Sequence, residues 1–286
     1  ENFVTHADSI NTLVLPKTGF DDLIVHNELT DDLTQRHIEL LNQADEYKKA
    51  GKKFFLYLHY SNIHTEIMQN VLKKYNNFGS EYFSNKEKNI QFYNKLFFDS
   101  DVYLGKILQH YQNLNLDEDT LLVVISDHGI STGEKFGERG YGVFCYDYTL
   151  LSGAMFCHKN IKPIQIKNQV RSIDILPTIL ELLSINQDPA YENIQGKSLV
   201  PLMNGKIESR IAFSQSGNPL SSSKPPKEPN VSAVRTDEWK FILNHYDDTE
   251  ELYNLKTDPK ENNNLVTKEN KIVQDLRKIL KNHLEL

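Results

Sequence analysis

Asp127 and His128 directly follow an apolar run, and their side chains have the types that bind metal ions. The run, "TLLVVIS" (120–126), has the length and β-branched content of a buried strand. In α/β proteins, ligands bind beyond the carboxyl ends of such strands. A carboxylate oxygen beside an imidazole nitrogen suits Zn²⁺ or Mn²⁺ better than Ca²⁺, which prefers oxygen donors alone. Asp-His-Gly is also a common turn composition, so a metal site and an ordinary turn both stay open. Gly129 would let the backbone bend sharply past the pair.

A second apolar run carries two histidines that could take part in the same chemistry. The run "KFFLYLHYS" (53–61) has strand character, with His59 inside it and His64 just beyond its end. For His59, packing in the core is favoured over a binding role because its neighbours are aromatic. For His64, ligand binding and a solvated loop position are both open.

Two cations and a cysteine near the Asp-His pair are further candidates. The stretch "GEKFGERGYG" (133–142) contains Lys135 and Arg139 and could cradle an anion through backbone N–H groups, although a mobile loop is the favoured interpretation. Cys145 lies among apolar and aromatic residues with no neighbouring base, which favours an inert buried thiol over a nucleophile. Cys157 is the second of two cysteines, and without a CxxC pattern neither a zinc knuckle nor a disulfide framework is indicated, while one disulfide stays open.

Composition excludes several classes of protein. With 286 residues, 39% of them hydrophobic, the chain is long enough for one large domain or for one domain and a smaller one. A net charge of -7 with intermixed signs argues against nucleic-acid binding. No apolar run reaches 18 residues, so no membrane span is predicted, and the start does not read as a signal peptide. Because the first residue is Glu rather than Met, we expect a processed chain or a fragment.

Alternating helix and strand patterns predict an α/β fold around a mixed, mostly parallel sheet. Thr30 is expected to cap the first helix, which the acidic pair Asp31–Asp32 would stabilise and Gly51 would end. Residues 1–30 read as irregular. After residue 208, three short strands within 231–259 and a final helix predict a small antiparallel C-terminal subdomain (209–286) beside a core of residues 1–208. The remaining predicted elements are strands at 53–61 and 120–126 and helices at 87–115 and about 175–184, the last with Pro177 in its first turn.

Six segments in this order together resemble the sulfatase family of the alkaline phosphatase superfamily. Two hold the histidines and the Asp-His pair, and the other four are similar to the family's later helix and loop and to its C-terminal subdomain. The segments are "KKFFLYLHYSNIHTE" (52–66), "FDSDVYLGKILQHYQNLNLDEDTLLVVISDHG" (98–129), "QVRSIDILPTILELLSI" (169–185), "GKSLVPLMNG" (196–205), "VRTDEWKFILN" (234–244) and "EELYNLKTDPKENNNL" (250–265).

The resemblance implies a sulfatase-like α/β sandwich with a small C-terminal sheet and helix, and the hydrolysis of sulfate esters. Asp127 and His128 match the family's metal-ligand pair, and His64 matches the histidine that contacts the sulfuryl group or leaving-group oxygen. His59, Lys135 and Arg139 are weaker substrate-binding candidates. The implied cofactor is a divalent ion (Zn, Mn or Ca), and the implied partner is a small-molecule or glycan sulfate ester, or a phosphate ester.

The sequence also departs from the family pattern. Neither the family's strand ending in acidic metal ligands nor its C/S-x-P-x-R nucleophile motif occurs, and no lysine aligns cleanly after the Asp-His pair. We therefore expect an N-terminally truncated chain that is inactive alone. Phosphoryl or phosphoethanolamine transfer, phosphonate or phosphodiester hydrolysis, and a non-catalytic pseudoenzyme stay open as alternatives.

Overall fold

A computed structural model describes residues 3–11, 15, 18–72, 80–138, 140–188, 194–218 and 226–285. The chain folds into two compact units. The first, called here the N-terminal unit, comprises Glu1–Leu122, Thr132–Gly140 and Cys157–Lys159, and the second, the C-terminal unit, comprises Val123–Ser131, Tyr141–Phe156 and Asn160–Leu286. None of the helices within the described ranges is both long enough and apolar enough to cross a membrane. The division of the sequence at residue 208 stays a prediction.

The N-terminal unit is built on a parallel three-stranded sheet in the order β2-β1-β3. Asp8 of β1 is in register with Leu58 of β3, and Ser9 is in register with Val25 of β2. The carboxyl ends of all three strands therefore lie at one edge of this sheet. Its elements are β1 (Phe3–Ser9), β2 (Asp22–Val25), α1 (Leu33–Lys49), β3 (Lys53–Leu58), α2 (Asn62–Ile67), α3 (Ser80–Ser84) and α4 (Lys86–Asn113).

The prediction that residues 1–30 are irregular is wrong, because they form β1 and β2. In β1, the polar residues His6, Asp8 and Ser9 are all buried, so the alternation of polar and apolar residues that marks a half-exposed strand is absent. Burying these polar side chains would destabilise the fold unless partners from other segments of the chain formed hydrogen bonds with them. Strand β2 has just four residues, which is too short for a periodic signal.

Helix α1 begins two residues later than expected. Its N-cap is Asp32, whose side chain accepts a hydrogen bond from the Gln35 backbone N–H at 3.1 Å, whereas Thr30 lies in the preceding turn. Asp32 therefore does have the structural role predicted for the acidic pair. Leu41 and Ala44 of α1 pack with Ile107 and Tyr111 of α4, and this apolar contact fixes α1 against the long helix.

The C-terminal unit carries a four-stranded antiparallel sheet in the order β6-β7-β8-β9. The three predicted strands are confirmed as β7, β8 and β9, the final helix is confirmed as α8, and β6 was not predicted. A second sheet pairs β4 with β5. The elements from β4 onward are β4 (Leu122–Ile125), α5 (Asp147–Leu150), β5 (Ala154–Cys157), α6 (Ile175–Leu182), α7 (Val200–Met203), β6 (Ala212–Ser216), β7 (Val231–Arg235), β8 (Trp239–Asn244), β9 (Thr249–Asn254) and α8 (Asn270–Leu284).

Both faces of the antiparallel sheet are covered. One face packs against α8, where Val234, Phe241, Leu252, Val273, Leu276 and Leu280 form a buried cluster. The other face, represented by Ala233 and Ile242, packs against Cys145 and Tyr146 just before α5. Alternate residues of each strand point to opposite faces, so one strand serves two cores. The sheet thereby holds the segment around α5 in place.

Candidate active site

The Asp127–His128 turn follows β4 in the C-terminal unit. An Asp127 carboxylate oxygen, Oδ1, accepts a hydrogen bond from the His128 backbone N–H at 2.8 Å, and Oδ2 lies 3.5 Å from His128 Nε2. His128 Nδ1 lies 2.7 Å from the Gly129 carbonyl oxygen. A carbonyl only accepts, so Nδ1 carries the hydrogen and the lone pair of the neutral ring is on Nε2. The Asp127 side chain is 81% exposed and the His128 side chain is 40% exposed, so the donor atoms of both are accessible to a ligand.

Glycine is required at position 129 because another backbone segment approaches it closely. A Cβ atom there would lie 2.3 Å from the Tyr148 carbonyl oxygen. The Gly129 N–H donates to the Thr149 carbonyl oxygen at 2.8 Å, which ties the metal-capable turn to α5. Gly129 is not among the residues with positive φ, so the sharp bend expected from the sequence is not the reason for this glycine.

Helix α5 is in turn held by a buried charge cluster on the antiparallel sheet. Lys240 Nζ donates to Asp147 at 2.5 Å and lies 2.8 Å from Glu261, while Arg235 donates to Asp147 at 2.9 Å. Burial alone would raise the pKa of Asp147, but Lys240 and Arg235 outweigh it and lower that pKa, so Asp147 stays ionised. The position of Gly129 thus depends on ion pairs made by the C-terminal strands.

The donors of the Asp127–His128 turn fit a divalent metal ion in type, but two residues do not complete a coordination shell. A protein-bound Zn²⁺ usually has three or four protein ligands, and Ca²⁺ has six or more oxygen ligands. Within the ranges that the structure describes, no group of three or more His, Cys, Asp or Glu side chains is arranged to hold a metal ion. The turn by itself supplies two ligand side chains.

His64, the predicted substrate-contacting histidine, lies on α2 in the N-terminal unit and is exposed. Its neighbours on the helix are anchored in the unit. Ser61 and Thr65 are buried, and the Thr65 N–H donates to the Ser61 carbonyl oxygen at 3.0 Å. An exposed side chain on an anchored helix can reach a substrate without losing its position.

The weaker candidates occupy separate positions. His59 follows β3 and is half-buried, where its Nδ1 accepts from the Ile10 backbone N–H at 3.5 Å and lies 3.3 Å from Ser9 Oγ. These contacts are polar and lie at the carboxyl edge of the parallel sheet. Lys135 is half-buried in the loop after Thr132, and Arg139 lies outside the described residues.

A buried polar cluster that we did not predict from the sequence lies at the same sheet edge. His26 Nδ1 lies 2.6 Å from Asp8 Oδ1, His26 Nε2 lies 2.9 Å from Ser61 Oγ, and Arg36 Nε donates to Asp8 Oδ2 at 2.9 Å. His37 is fully buried beside this group, and burial lowers its pKa to about 4. The parallel register explains the cluster, because Asp8, His26 and Ser61 each come at or just after a strand end. Asp8, near the end of the strand-like stretch "FVTHADS", was its signal in the sequence.

Two family models match the chain. Residues 3–185 match the model described as Sulfatase, and residues 153–286 match the model described as N-sulphoglucosamine sulphohydrolase, C-terminal. Arylsulfatase K of Gallus gallus is 30% identical over 205 residues, which cover 66% of this chain and 36% of that protein. Choline-sulfatase of Rhizobium meliloti (strain 1021) is 25% identical over 185 residues, which cover 63% of this chain and 34% of that protein. The chain thus spans about a third of the length of these relatives.

Solved structures show the same fold. A 2-O GAG sulfatase matches with a TM-score of 0.71 at 17% identity, covering 99% of this chain and 72% of that chain. A structure in complex with its substrate D-glucosamine-2-N,6-O-disulfate matches with a TM-score of 0.65 at 16% identity, covering 99% and 79%. The predicted sulfatase-like α/β fold is confirmed. Because the Sulfatase model matches well over half of the chain, the chain belongs to the sulfatase family.

Proposed function

We propose that the chain is part of a metal-dependent hydrolase of sulfate esters, in which Asp127 and His128 bind the metal ion and His64 contacts the transferring group. The observation that carries the proposal is the Gly129 carbonyl oxygen, which holds the proton of His128 on Nδ1 and leaves Nε2, next to the Asp127 carboxylate, as a donor for a metal ion. The relatives named arylsulfatase K and choline-sulfatase support sulfate-ester chemistry.

Sulfatases are generally metal-dependent, and Zn, Mn and Ca are the candidate ions for this chain. A bound divalent ion would stabilise negative charge on the sulfate oxygens. Asp127 and His128 would supply two of its ligands. His64 would donate a hydrogen bond to a sulfuryl oxygen or protonate the leaving-group oxygen. His59, Lys135 and Arg139 are proposed as secondary contacts to the substrate.

The proposed substrate is a small-molecule or glycan sulfate ester. One solved structure of the same fold holds a glucosamine disulfate as its substrate, which supports the glycan class. In the sulfatase family, a C/S-x-P-x-R motif supplies the nucleophile. This motif does not occur in the 286 residues. We therefore propose that this chain binds metal weakly and does not turn over substrate by itself.

Metal binding tests the ligand assignment directly. Titration calorimetry of the 286-residue chain with Zn²⁺, Mn²⁺ and Ca²⁺ is expected to show weak binding of at least one ion. Asp127→Ala and His128→Ala are expected to weaken it at least tenfold, since each removes one donor. Asp101→Ala and His110→Ala, which change the same residue types on α4, are matched controls and should bind as the unaltered chain does. Equal binding by Asp127→Ala would refute the assignment.

Hydrolysis assays test the reaction class. The chain is mixed with an aryl sulfate, an aryl phosphodiester and an aryl phosphonate in parallel, with each candidate metal ion present. No turnover is expected from this chain, and aryl sulfate hydrolysis that Asp127→Ala abolishes would overturn the argument about the nucleophile. For the complete gene product, preference for the aryl sulfate supports the proposal, whereas preference for either phosphorus substrate refutes it in favour of the phosphate-handling alternative.

A further inference from the structure

Ser61, His26 and Asp8 form a hydroxyl–imidazole–carboxylate relay in the N-terminal unit. The distances are 2.9 Å from Ser61 Oγ to His26 Nε2 and 2.6 Å from His26 Nδ1 to Asp8 Oδ1. This is the order of groups that activates a serine nucleophile in many hydrolases. Here, however, the three residues are at most 3% exposed, so the Ser61 hydroxyl has no access to a substrate. A relay of this kind, buried from end to end, needs another explanation.

The protonation pattern of the relay follows from its acceptors. The Asp8 carboxylate accepts from His26 Nδ1 through Oδ1 and from Arg36 Nε through Oδ2. His26 Nδ1 is therefore a donor, and Nε2 makes the hydrogen bond with the Ser61 hydroxyl. Every polar group in the chain of contacts has a partner, which is what keeps buried polar groups from destabilising a fold. The relay is a rigid connection between the ends of β1 and β2 and the residue that precedes α2.

A second contact from the same loop holds α2 on the other side of His64. Thr65 Oγ1 donates to Glu28 Oε2 at 2.8 Å. His26 and Glu28 both lie in the loop after β2, and their partners Ser61 and Thr65 lie three residues before and one residue after His64 along the chain. The two contacts together form a clamp, called here the α2 clamp.

Helix α2 needs such external support. It has six residues, continues directly into a single π-helical segment (Met68–Leu72), and has no side-chain capping bond from its N-cap Ser61. The Ser61 hydroxyl pairs with His26 instead. A helix this short is not stable through its own hydrogen bonds. An ordinary cap would satisfy one backbone N–H, but it would not fix the helix to the sheet.

We propose that the Asp8–His26–Ser61 relay and the Glu28–Thr65 contact position α2 so that His64 projects to the substrate. His26 and Glu28 are positioning residues, because they act on the reaction only through the helix that carries His64. The role of His64 as the substrate contact rests on the proposed function. The clamp on α2 does not depend on it.

Hydrogen exchange and histidine NMR of the 286-residue chain test the clamp. Ser61→Ala and Thr65→Val each remove one hydroxyl at nearly constant volume. Each is expected to speed exchange of the α2 amides about fivefold to tenfold, the effect of one lost hydrogen bond on a local opening, and to shift the ring signals of His64. His26→Leu should do the same more strongly.

His6→Leu is the matched control for His26→Leu. His6 is also a buried histidine of the N-terminal unit, and it bonds the Tyr47 hydroxyl at 2.9 Å rather than any residue of the clamp. This variant should lower overall stability without selectively exposing α2. Unchanged α2 exchange in both Ser61→Ala and Thr65→Val would overturn the clamp, as would a loss of α2 protection in His6→Leu equal to that in His26→Leu.

Kinetics on the complete gene product separate the clamp from the proposed function. Ser61→Ala is expected to lower kcat about tenfold while KM changes less than about twofold, because a displaced His64 affects the transition state more than substrate binding. An unchanged kcat with faster α2 exchange would refute the role of His64 and leave the clamp standing. If the unaltered chain bound none of the three metal ions in the calorimetry, that result would refute the proposed function and leave the clamp standing.

Discussion

Replacing Gly129 with alanine is expected to destabilise the C-terminal unit by roughly 2–4 kcal/mol. The added Cβ would lie 2.3 Å from the Tyr148 carbonyl oxygen, a backbone atom that no side-chain rotation can move away. Relieving such an overlap costs about 1–3 kcal/mol, and the Gly129–Thr149 hydrogen bond, worth roughly 1 kcal/mol, is lost as the segments separate. The Gly129 carbonyl that orients His128 would move as well, so the metal binding proposed for Asp127 and His128 should weaken together with stability.

Urea unfolding followed by tryptophan fluorescence measures this change. The single tryptophan, Trp239, lies in β8 of the same unit, so its emission reports the unfolding of the part that carries Gly129. Gly153→Ala is the matched control, since a Cβ there meets nothing within 4 Å and its φ is not positive. Should Gly129→Ala unfold at the same urea concentration as Gly153→Ala, the close-approach argument is refuted.

Three further predictions concern the buried residues Lys240 and His37 and the glycine at position 105 of helix α4. Lys240→Met should destabilise the C-terminal unit by about 3–5 kcal/mol in the same urea assay, because it leaves Asp147 and Glu261 buried without their shared cation. His37 has a pKa lowered from 6.5 to about 4, so the unfolded chain binds a proton that the folded chain does not, and stability falls as the pH drops from 6.5 to 4. Over that window, the free energy of unfolding measured by circular dichroism should fall by roughly 3 kcal/mol more in the unaltered chain than in His37→Leu, and parallel curves would contradict this. Gly105→Ala should raise stability by about 0.5–1 kcal/mol, because the position lies inside α4 with no atom near the added methyl, and a lower thermal midpoint would argue against it.

Local signals were enough to predict about half of the regular elements that the structure describes. The continuous apolar run before Asp127, the long periodic pattern of α4 and the turn-separated strands near the C-terminus each carry a preference that does not depend on the rest of the chain. The start of α1 was misplaced by two residues because Thr30 and Asp32 are both good caps, and the choice between them depends on the turn that precedes the helix.

The polar interior at the edge of the parallel sheet could not be predicted in the same way. A histidine, an aspartate and a serine within β1 or after short strands look like solvated residues when each is considered alone. They become favourable in the interior only when Asp8, His26 and Ser61 meet, and these residues are far apart in the sequence. Their meeting depends on the parallel register of three strands, which is a property of long-range pairing.

The sequence by itself determined the α/β class, the order of the later elements and the presence of Asp127 and His128 at the end of a strand, since those features follow from local composition and periodicity. The tertiary structure decided why Gly129 must be a glycine, which nitrogen of His128 is available to a metal ion and how the helix α2 that carries His64 is held. For Gly129 and for α2 the deciding atoms come from distant segments, namely the Tyr148 carbonyl and the His26 ring, and α5 is held by the Lys240–Asp147 pair. For His128 the deciding atom is the neighbouring Gly129 carbonyl, whose position is set by the contact of Gly129 with Tyr148 and Thr149. Contacts of this kind exist only after the chain has folded, so no local pattern encodes them.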